Sequence, residues 1–413
     1  MKEKLDILFV SATIPYPAID GGRIRVLNLL QNLSKYNNIT FLTYNSSDED
    51  ERNIKYLRDI GINVLDVKFN YNKILFNIPS ILKQTFKGKP FTIAKYYSKE
   101  MVSKINELLE KNLYDVIHFE MFHTGQHITE LSNVVYVEIC LGLQNIDSLI
   151  WKRLADTERN PIKKLILRWQ YNNFLNLERM LSPLFDCCIC VSAEDMERLI
   201  SINPFVRICI APNGVDTDYF MPMDIKENEH QIVFVGSMNW QPNEDAVLYF
   251  CDKIFPLIKG KIPQIRFYIV GSNPTERVTK LRNIDGVIVT GLVDDVRDYI
   301  SQSAVFVVPL RIGGGTRLKI LQALAMKKAV VSTSIGCEGL GLIHNEHLLI
   351  SDDPKEFAES VMLLLNDKDL RYRLGENGRK LVEDKYDWKA ISMKLNTIYR
   401  NYLRRDNEKR FDV

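Results

Sequence analysis

The sequence predicts an α/β protein made of two doubly wound units, each with a mostly parallel sheet. Three observations support this fold class. The chain has 413 residues, well above the length of about 150 residues that is usual for one domain. Short apolar runs alternate with helical segments, as they do where helices cover both faces of a parallel sheet. The alternation breaks near residue 210 and then restarts.

The first unit begins with an apolar strand at 7–10, which lacks the long apolar core and cleavage site of a signal peptide. The elements that follow are a helix at 25–35, a strand at 40–43, a helix at 51–60 and a strand at 64–67. Further on, residues 115–120 have the period of a strand, which places Val116, His118 and Glu120 on one face.

The break is a linker at 208–220, where a short strand at 209–211 runs into the strong turn sequence Pro212-Asn213-Gly214. The second unit then has strands predicted at 232–236, 266–270, 287–290, 305–309 and 329–333, with helices such as 245–255 and 316–326 between them. We therefore expect domains at 1–207 and 208–388, and a C-terminal helix at 389–413 that can cross back to the first domain.

Charge and composition exclude several classes of protein. Lys and Arg total 54 against 52 Asp and Glu, so the chain as a whole has no electrostatic reason to bind nucleic acid. Seven cysteines, an odd number, indicate a reducing compartment, and we expect a cytoplasmic protein. No stretch approaches the ~18 uninterrupted apolar residues of a membrane span, so any membrane contact would be peripheral.

Residues 73–111 form a basic segment with eight lysines, three acidic residues and interspersed aromatic side chains. One interpretation is a solvated surface on which lysine stems cover apolar side chains. The other is a surface that docks on the anionic inner face of the cell membrane.

The most informative segment is 309–322 (PLRIGGGTRLKILQ), which follows an apolar strand and leads into a helix. Glycines let the backbone approach an anion, and the first amides of a helix have no partner within it. Arg317 and Lys319 would add positive charge, so the segment predicts a phosphate site. The alternative is a simple turn with two solvated cations. Neither a Walker A loop nor a dinucleotide fingerprint is present.

Two further candidates lie where strands of the first unit end. Gly21-Gly22 follows the first strand, at the edge where open α/β sheets bind ligands, although the pair could also serve only as a turn. Glu120, at the exit of its strand, is a candidate for contacting a polar substrate. His118 is equally compatible with a hydrogen-bonded core histidine.

No cluster has the spacing of metal ligands. Residues 216–218 (DTD) fall in the linker, where aspartates cap turns. Cys187, Cys188 and Cys190 alternate between strand faces and have no second ligand pair. We expect no metal and no cofactor.

Several motifs occur in a specific order and spacing: Gly21-Gly22 with Arg25, Val191-Ser192, 212–216 (PNGVD), 234–243 (FVGSMNWQPN), Val270-Gly271, Thr290-Gly291-x-Val293, and 309–322 leading to 329–333. Together they resemble the retaining GT-B glycosyltransferases of family 4, in particular the bacterial branch that builds cell-surface polysaccharides. The resemblance covers about residues 7–388.

The resemblance implies two Rossmann-like domains facing a cleft, and transfer of a sugar with retention and without a metal. The donor, a UDP- or GDP-sugar, would bind the second domain, and a glycan or lipid-linked acceptor the first. The catalytic candidates are Arg317, Lys319, Glu120 and His118. The donor-binding candidates are Gly21, Gly22, Gly313, Gly314, Gly315, Thr316, Gln322 and Val293.

The sequence also departs from the family. Two glutamates of the family's second domain are Gly314 and Gln322 here, and Gln322 can still hydrogen-bond ribose hydroxyls. The family's basic residues after the first strand of that domain are absent, so Arg317 and Lys319 would supply their charge. The family's first-domain histidine aligns with Glu120. The loss of both glutamates leaves open a non-catalytic nucleotide-sugar-binding partner. A nucleotide-sugar epimerase on the same fold is a second alternative.

Overall fold

The computed structural model describes residues 2–69, 85, 88–132, 134, 137–312 and 318–410, with only the backbone for 404–410. The chain divides into two compact units. Unit 1 comprises Met1–Pro212 with Lys389–Val413, and unit 2 comprises Asn213–Trp388. The division falls after Pro212 rather than at residue 208, because strand Ile208–Ile210 is hydrogen-bonded into the sheet of unit 1.

Unit 1 has a parallel sheet of seven described strands in the order β3-β2-β1-β4-β5-β6-β7. The strands are β1 Asp6–Ser11, β2 Asn38–Asn45, β3 Asn63–Lys68, β4 Val116–Glu120, β5 Glu138–Leu143, β6 Cys187–Cys190 and β7 Ile208–Ile210. The central strands β1, β4, β5 and β6 are buried along almost their whole length, which explains why they read as continuous apolar runs.

The helices of unit 1 pack on both faces of this sheet. They are α1 Gly21–Leu33, α2 Asp48–Asp59, α3 Phe91–Ala94, α4 Lys99–Lys111, α5 Met121–Gly125, α6 Asp147–Thr157, α7 Pro161–Leu181 and α8 Ala193–Ile202. Several begin at a side-chain cap: Ser47, Ser98 and Ser192 accept a hydrogen bond from a backbone amide of the first turn.

Unit 2 has a parallel sheet of six described strands in the order β10-β9-β8-β11-β12-β13. The strands are β8 Asn228–Val235, β9 Arg266–Val270, β10 Val287–Gly291, β11 Ser303–Val308, β12 Ala329–Ser332 and β13 Leu349–Ile350. The helices are α9 Gln241–Tyr249, α10 Phe255–Lys259, α11 Glu276–Thr279, α12 Val296–Gln302, α13 Leu318–Ala325, α14 Pro354–Asn366 and α15 Lys368–Lys385.

The last helix, α16 Trp388–Arg410, belongs to unit 1 from Lys389 onward. The hydroxyl of Tyr399 hydrogen-bonds His118 of β4, and Arg400 donates to the carbonyl oxygens of Lys2 and Glu3. These contacts attach the end of the chain to unit 1.

Two helices start earlier than the sequence pattern suggested. Helix α1 begins at Gly21 rather than residue 25, because the Asp20 carboxylate accepts the amide of Arg23 and caps the helix there. The glycine pair is therefore the first turn of α1 and not a separate turn. Helix α9 begins at Gln241 rather than residue 245, because Pro242 suits a first helical turn. A π-helical stretch, Phe250–Ile254, continues it into α10.

Within the described ranges, no helix combines the length and the apolar character that crossing a membrane requires.

Candidate functional site

The two sheets share one topology over six strands. Numbered from its own start, unit 1 has the order 3-2-1-4-5-6-7 and unit 2 has the order 3-2-1-4-5-6. In such open sheets the strand order reverses between the first and fourth strands, and ligands bind outside the carboxyl ends there. This point lies between β1 and β4 in unit 1 and between β8 and β11 in unit 2.

In unit 1, Glu120 is the last residue of β4 and the centre of a buried polar network. Its Oε2 lies 3.0 Å from Nε2 of His118, and its Oε1 accepts a 2.6 Å hydrogen bond from Nε2 of Gln144. The guanidinium Nε of Arg25 lies 4.0 Å from Oε1. The same guanidinium donates to the carbonyl oxygens of Ala211 and Pro212, both at 3.0 Å.

Burial and the neighbouring side chains determine the charge state of Glu120 in this network. The side chains of Glu120 and Arg25 are 3% and 1% exposed. Burial by itself would raise the pKa of Glu120, but the hydrogen bond and charge of His118, with Arg25 and Gln144, lower it below its ordinary value. Glu120 is therefore an ionised carboxylate held by donors. It holds the end of β4 in place and is not a free base exposed to solvent.

Two backbone features accompany the network. A Cβ atom on Gly142 of β5 would lie 2.6 Å from Nε2 of His118 and 2.7 Å from Oε2 of Glu120, so only glycine fits. Met121, directly after Glu120, has φ of 63°, a conformation that costs energy in a residue with a side chain. Strain of this kind often marks functional sites.

The glycine pair lies beside the same network. A Cβ atom on Gly22 would lie 3.1 Å from Oε1 of Gln144 and 3.4 Å from Oδ1 of Asp20. The first turn of α1 therefore approaches Gln144, the residue that binds Glu120. Gly21 and Gly22 thus lie at the carboxyl edge of the sheet of unit 1.

In unit 2, Lys319 is the second residue of α13, close to the carboxyl end of β8. Its Nζ donates a 2.7 Å hydrogen bond to Oδ1 of Asn243 and lies 4.0 Å from the centre of the Phe234 ring. Asn243 is oriented in turn by a 2.8 Å hydrogen bond from its Nδ2 to the carbonyl oxygen of Ser237. The lysine is thereby held at the strand end.

Close packing of backbone shapes this edge. Gly271, after β9, has φ of 147°, and a Cβ atom there would overlap the carbonyl oxygen of Gly236, after β8. A Cβ atom on Gly236 would lie 2.7 Å from both Nζ of Lys319 and Nδ2 of Asn243. The two glycines therefore let Lys319 and Asn243 lie against the backbone.

Gln322 lies one turn after Lys319 in α13. Both residues are partly exposed, whereas Leu318, Ile320, Leu321 and Ala323 around them are buried. Positions i and i+3 share a helix face, so Gln322 and Lys319 lie on the same outward side of α13. Val293, half-buried, follows the carboxyl end of β10.

Five of the predicted residues lie outside the described residues: Gly313, Gly314, Gly315, Thr316 and Arg317. The basic segment 73–111 is described only at 85 and 88–111. There, Lys104 and Lys111 both pair with Glu107 at 2.9 and 2.8 Å, and Lys95 lies 4.8 Å from the Tyr96 ring. These contacts are what the solvated-surface interpretation expects.

Asp216 of the 216–218 segment caps a turn, since its Oδ1 accepts the amides of Asp218 and Tyr219 at 3.0 and 2.9 Å. The described part of the chain holds no group of three acidic, histidine or cysteine side chains that could bind a metal ion. None of the seven cysteines is in a disulfide.

Sequence reasoning did not assign a site role to Gln144, Tyr399, Asn243 or Met121. Asn243 occurs in the motif 234–243, which was noted only as part of the family resemblance. Gln144 follows β5 directly, so the carboxyl-end rule applied to every strand would have found it. Tyr399 is 281 residues from its partner His118, and no local pattern connects them.

Comparison with solved structures defines the fold class. The chain superposes on sucrose-phosphate synthase from Thermosynechococcus elongatus with a TM-score of 0.70 and 17% identity, over 96% of this chain and 99% of that one. It superposes on HepE from Anabaena, solved in complex with UDP, with a TM-score of 0.66 and 12% identity, over 96% and 100%. The fold is that of the GT-B glycosyltransferases, with two parallel-sheet α/β domains.

Sequence comparison gives more specific relatives. Residues 229–367 match the family model of glycosyl transferases group 1. The chain is 24% identical to an uncharacterised 44.6 kDa protein in the cps region of Klebsiella pneumoniae, over 93% of this chain and 97% of that protein. It is 28% identical to the capsular polysaccharide biosynthesis glycosyltransferase CapM of Staphylococcus aureus, over 48% and 55%.

Proposed function

We propose that this protein is a glycosyltransferase that moves a sugar from a nucleotide-sugar donor, a UDP- or GDP-sugar, to a glycan or lipid-linked acceptor. The donor binds unit 2 and the acceptor binds unit 1. The reaction retains the configuration of the sugar, proceeds without a metal ion, and serves the synthesis of cell-surface polysaccharide in the cytoplasm.

One observation carries the proposal. Lys319 is held at the amino end of α13, beside the carboxyl end of β8 and within the stretch that matches glycosyl transferases group 1. A cation at a helix amino end, where the macrodipole is positive, suits a diphosphate. The UDP bound to HepE and the capsular role of CapM support the donor class and the pathway.

The chemistry follows from charge. Breaking the bond between sugar and phosphate develops negative charge on the departing diphosphate, which a preorganised cation stabilises. In the proposed reaction Lys319, with Arg317, does this in place of a metal. The departing phosphate accepts the proton of the acceptor hydroxyl, so no strong protein base is needed. Glu120, ionised and held by His118, Gln144 and Arg25, positions the end of β4 for the acceptor.

The first test is donor selection by thermal shift with UDP, GDP, ADP and CMP, since a ligand at 100 times its Kd stabilises by ~2.7 kcal/mol. Nucleotide release from the matching sugar donor is then measured with and without membrane-lipid extracts and glycan acceptors. Acceptor-dependent release supports the proposal. Interconversion of the donor sugar without acceptor would identify an epimerase. Tight nucleotide binding without turnover on any acceptor would favour a non-catalytic partner.

A further inference from the structure

The long helix α7 carries an exposed apolar stripe on its first half. Ile162, Leu165 and Ile166 are 72%, 71% and 53% exposed, and Trp169, 38% exposed, continues the same row. These positions follow the spacing i, i+3, i+4 and i+7, which places them on one face of a helix. Isolated exposed apolar residues are ordinary, but a continuous row of them marks an interaction surface.

Basic residues border the stripe on both sides. At 3.6 residues per turn the four apolar side chains span an arc of roughly 100°, and Lys163 and Arg168 lie roughly 60° beyond its two edges. Over residues 151–169 the sequence has six basic and two acidic residues, a net charge of +4. Within α7 itself, residues 161–169 contain Lys163, Lys164 and Arg168 and no acidic residue.

The stripe projects from the ligand-binding edge of unit 1. Helix α6 starts at the carboxyl end of β5, and α7 leads back to the amino end of β6. The buried residues of α7 are all in its second half, from Gln170 to Glu178. That half, about 18 Å long at ~1.5 Å per residue, matches the height of a six-residue strand. The first half therefore extends beyond the sheet at its carboxyl edge.

The second half of α7 anchors the projection. Phe174 and Leu177 belong to the buried core of unit 1, and Gln170 accepts a 3.2 Å hydrogen bond from the amide of Phe91. The amino end is fixed too, because Asn160 caps α7 through the amides of Ile162 and Lys163. The stripe is thus presented on a rigid helix whose beginning is well defined.

We propose that the first half of α7 docks on an anionic lipid bilayer, with the apolar stripe in the headgroup region and the basic residues on lipid phosphates. Amphipathic helices with this combination lie in the plane of a membrane surface. A second copy of the chain is a poorer occupant, because a two-fold contact would place the basic residues that border one stripe against those of the other. The first half of α7 is a different surface from segment 73–111. Vesicle binding requires neither donor nor acceptor, so it can be measured independently of the proposed reaction.

The test is co-sedimentation of the full chain with vesicles of phosphatidylcholine alone or mixed equally with phosphatidylglycerol. Binding is expected only to the mixed vesicles, and it should weaken as salt rises, because salt screens the basic residues. The double variant Lys163→Gln/Arg168→Gln should lower the partition coefficient about 25-fold, at about fivefold per basic residue. The triple variant Ile162→Gln/Leu165→Gln/Ile166→Gln should abolish binding at any salt concentration.

Matched controls lie elsewhere on unit 1. Leu113 and Phe205, 88% and 87% exposed, precede β4 and β7 at the opposite edge of the sheet, so Leu113→Gln/Phe205→Gln should bind like the parent chain. Lys4→Gln/Arg52→Gln/Lys55→Gln, at exposed positions, controls for charge. Circular dichroism establishes that each variant is folded.

Three results would overturn the proposal. The first is that the parent chain fails to bind mixed vesicles. The second is that the stripe variant binds as well as the parent chain. The third is that both controls lose binding to the same degree as the stripe variant. Sedimentation velocity adds a separate outcome. A parent chain that dimerises without binding vesicles, and becomes monomeric in the stripe variant, would assign the surface to a second copy.

Discussion

The hydroxyl of Tyr399 lies 2.8 Å from Nδ1 of His118. The bond joins the C-terminal helix α16 to β4, near the centre of the unit 1 sheet. Because Nδ1 is held in this way, the opposite nitrogen, Nε2, points at the Glu120 carboxylate 3.0 Å away. The end of the chain therefore orients a side chain pair at the candidate acceptor edge.

We expect Tyr399→Phe to lower the free energy of unfolding by about 1–2 kcal/mol. The ring and its packing remain, but the buried Nδ1 of His118 loses its partner, and an unsatisfied buried group carries a cost of this order. Chemical denaturation followed by circular dichroism measures the change. Tyr372→Phe, at a residue that is 57% exposed, is the matched control. Equal stability of Tyr399→Phe and the parent chain would contradict the structural role.

We expect Lys319→Ala to lower the turnover rate by about 100-fold, the scale seen when one preorganised donor to a developing charge is removed. Lys261→Ala, at an exposed lysine of the same unit, should leave the rate unchanged. Initial rates at saturating donor, with melting temperatures as a check on folding, measure both. Full activity of Lys319→Ala would remove this lysine from the mechanism.

The sequence predicted the strands far better than the side-chain contacts. Residues 266–270 were predicted as a strand and form β9, because a short run rich in β-branched and aromatic residues between turn residues is typical of a strand. The start of α1 was misplaced because Gly21-Gly22 favours a turn, and the cap by Asp20 outweighs that preference. The period of β4 placed His118 and Glu120 together. Their partners Tyr399 and Gln144 come from other elements, and only the tertiary fold brings them there.

We expect turnover to persist in excess EDTA. Lys319 and the amino end of α13 serve the diphosphate in the proposed mechanism, and Asp216 of the linker accepts two backbone amides. Nucleotide release is measured before and after chelation, with Mg²⁺ and Mn²⁺ added back. A strict requirement for either ion would contradict the metal-independent mechanism.

We expect Gln322→Glu to tighten nucleotide binding by about 1 kcal/mol, because a hydrogen bond from a ribose hydroxyl to a carboxylate is stronger than one to an amide. The effect should be a lower donor Kd, with the maximal rate changed less. Gln322→Ala should weaken binding by a similar amount. Calorimetry with the donor nucleotide measures both variants. If neither changes the Kd, Gln322 does not face the nucleotide and the donor pocket lies elsewhere.

The last prediction concerns the pH dependence of stability and rests on Glu178, a fully buried residue of α7. Burial raises the pKa of its carboxyl to about 7, although the amide of Ser148 donates to it at 2.9 Å. Burial and the charge of Glu178 also raise the pKa of the neighbouring Asp147, to about 8. Both acids therefore keep their protons in the folded chain at a pH where the unfolded chain has released them.

The sign follows from proton linkage. Between pH 4.5, the ordinary value for glutamate, and pH 7, the folded state binds more protons than the unfolded state, so the free energy of unfolding falls as pH rises. Glu178 accounts for a fall of about 3 kcal/mol, at ~1.4 kcal/mol per pH unit.

Gln at this position keeps the shape of the side chain and cannot ionise. The parent chain should thus lose stability relative to Glu178→Gln between pH 5 and pH 8, with most of the loss complete by pH 7. Denaturation at a series of pH values measures the difference, and Glu194→Gln, at an exposed glutamate of α8, is the control. A constant difference between the parent chain and Glu178→Gln across this range would mean that Glu178 is ionised in the folded protein throughout.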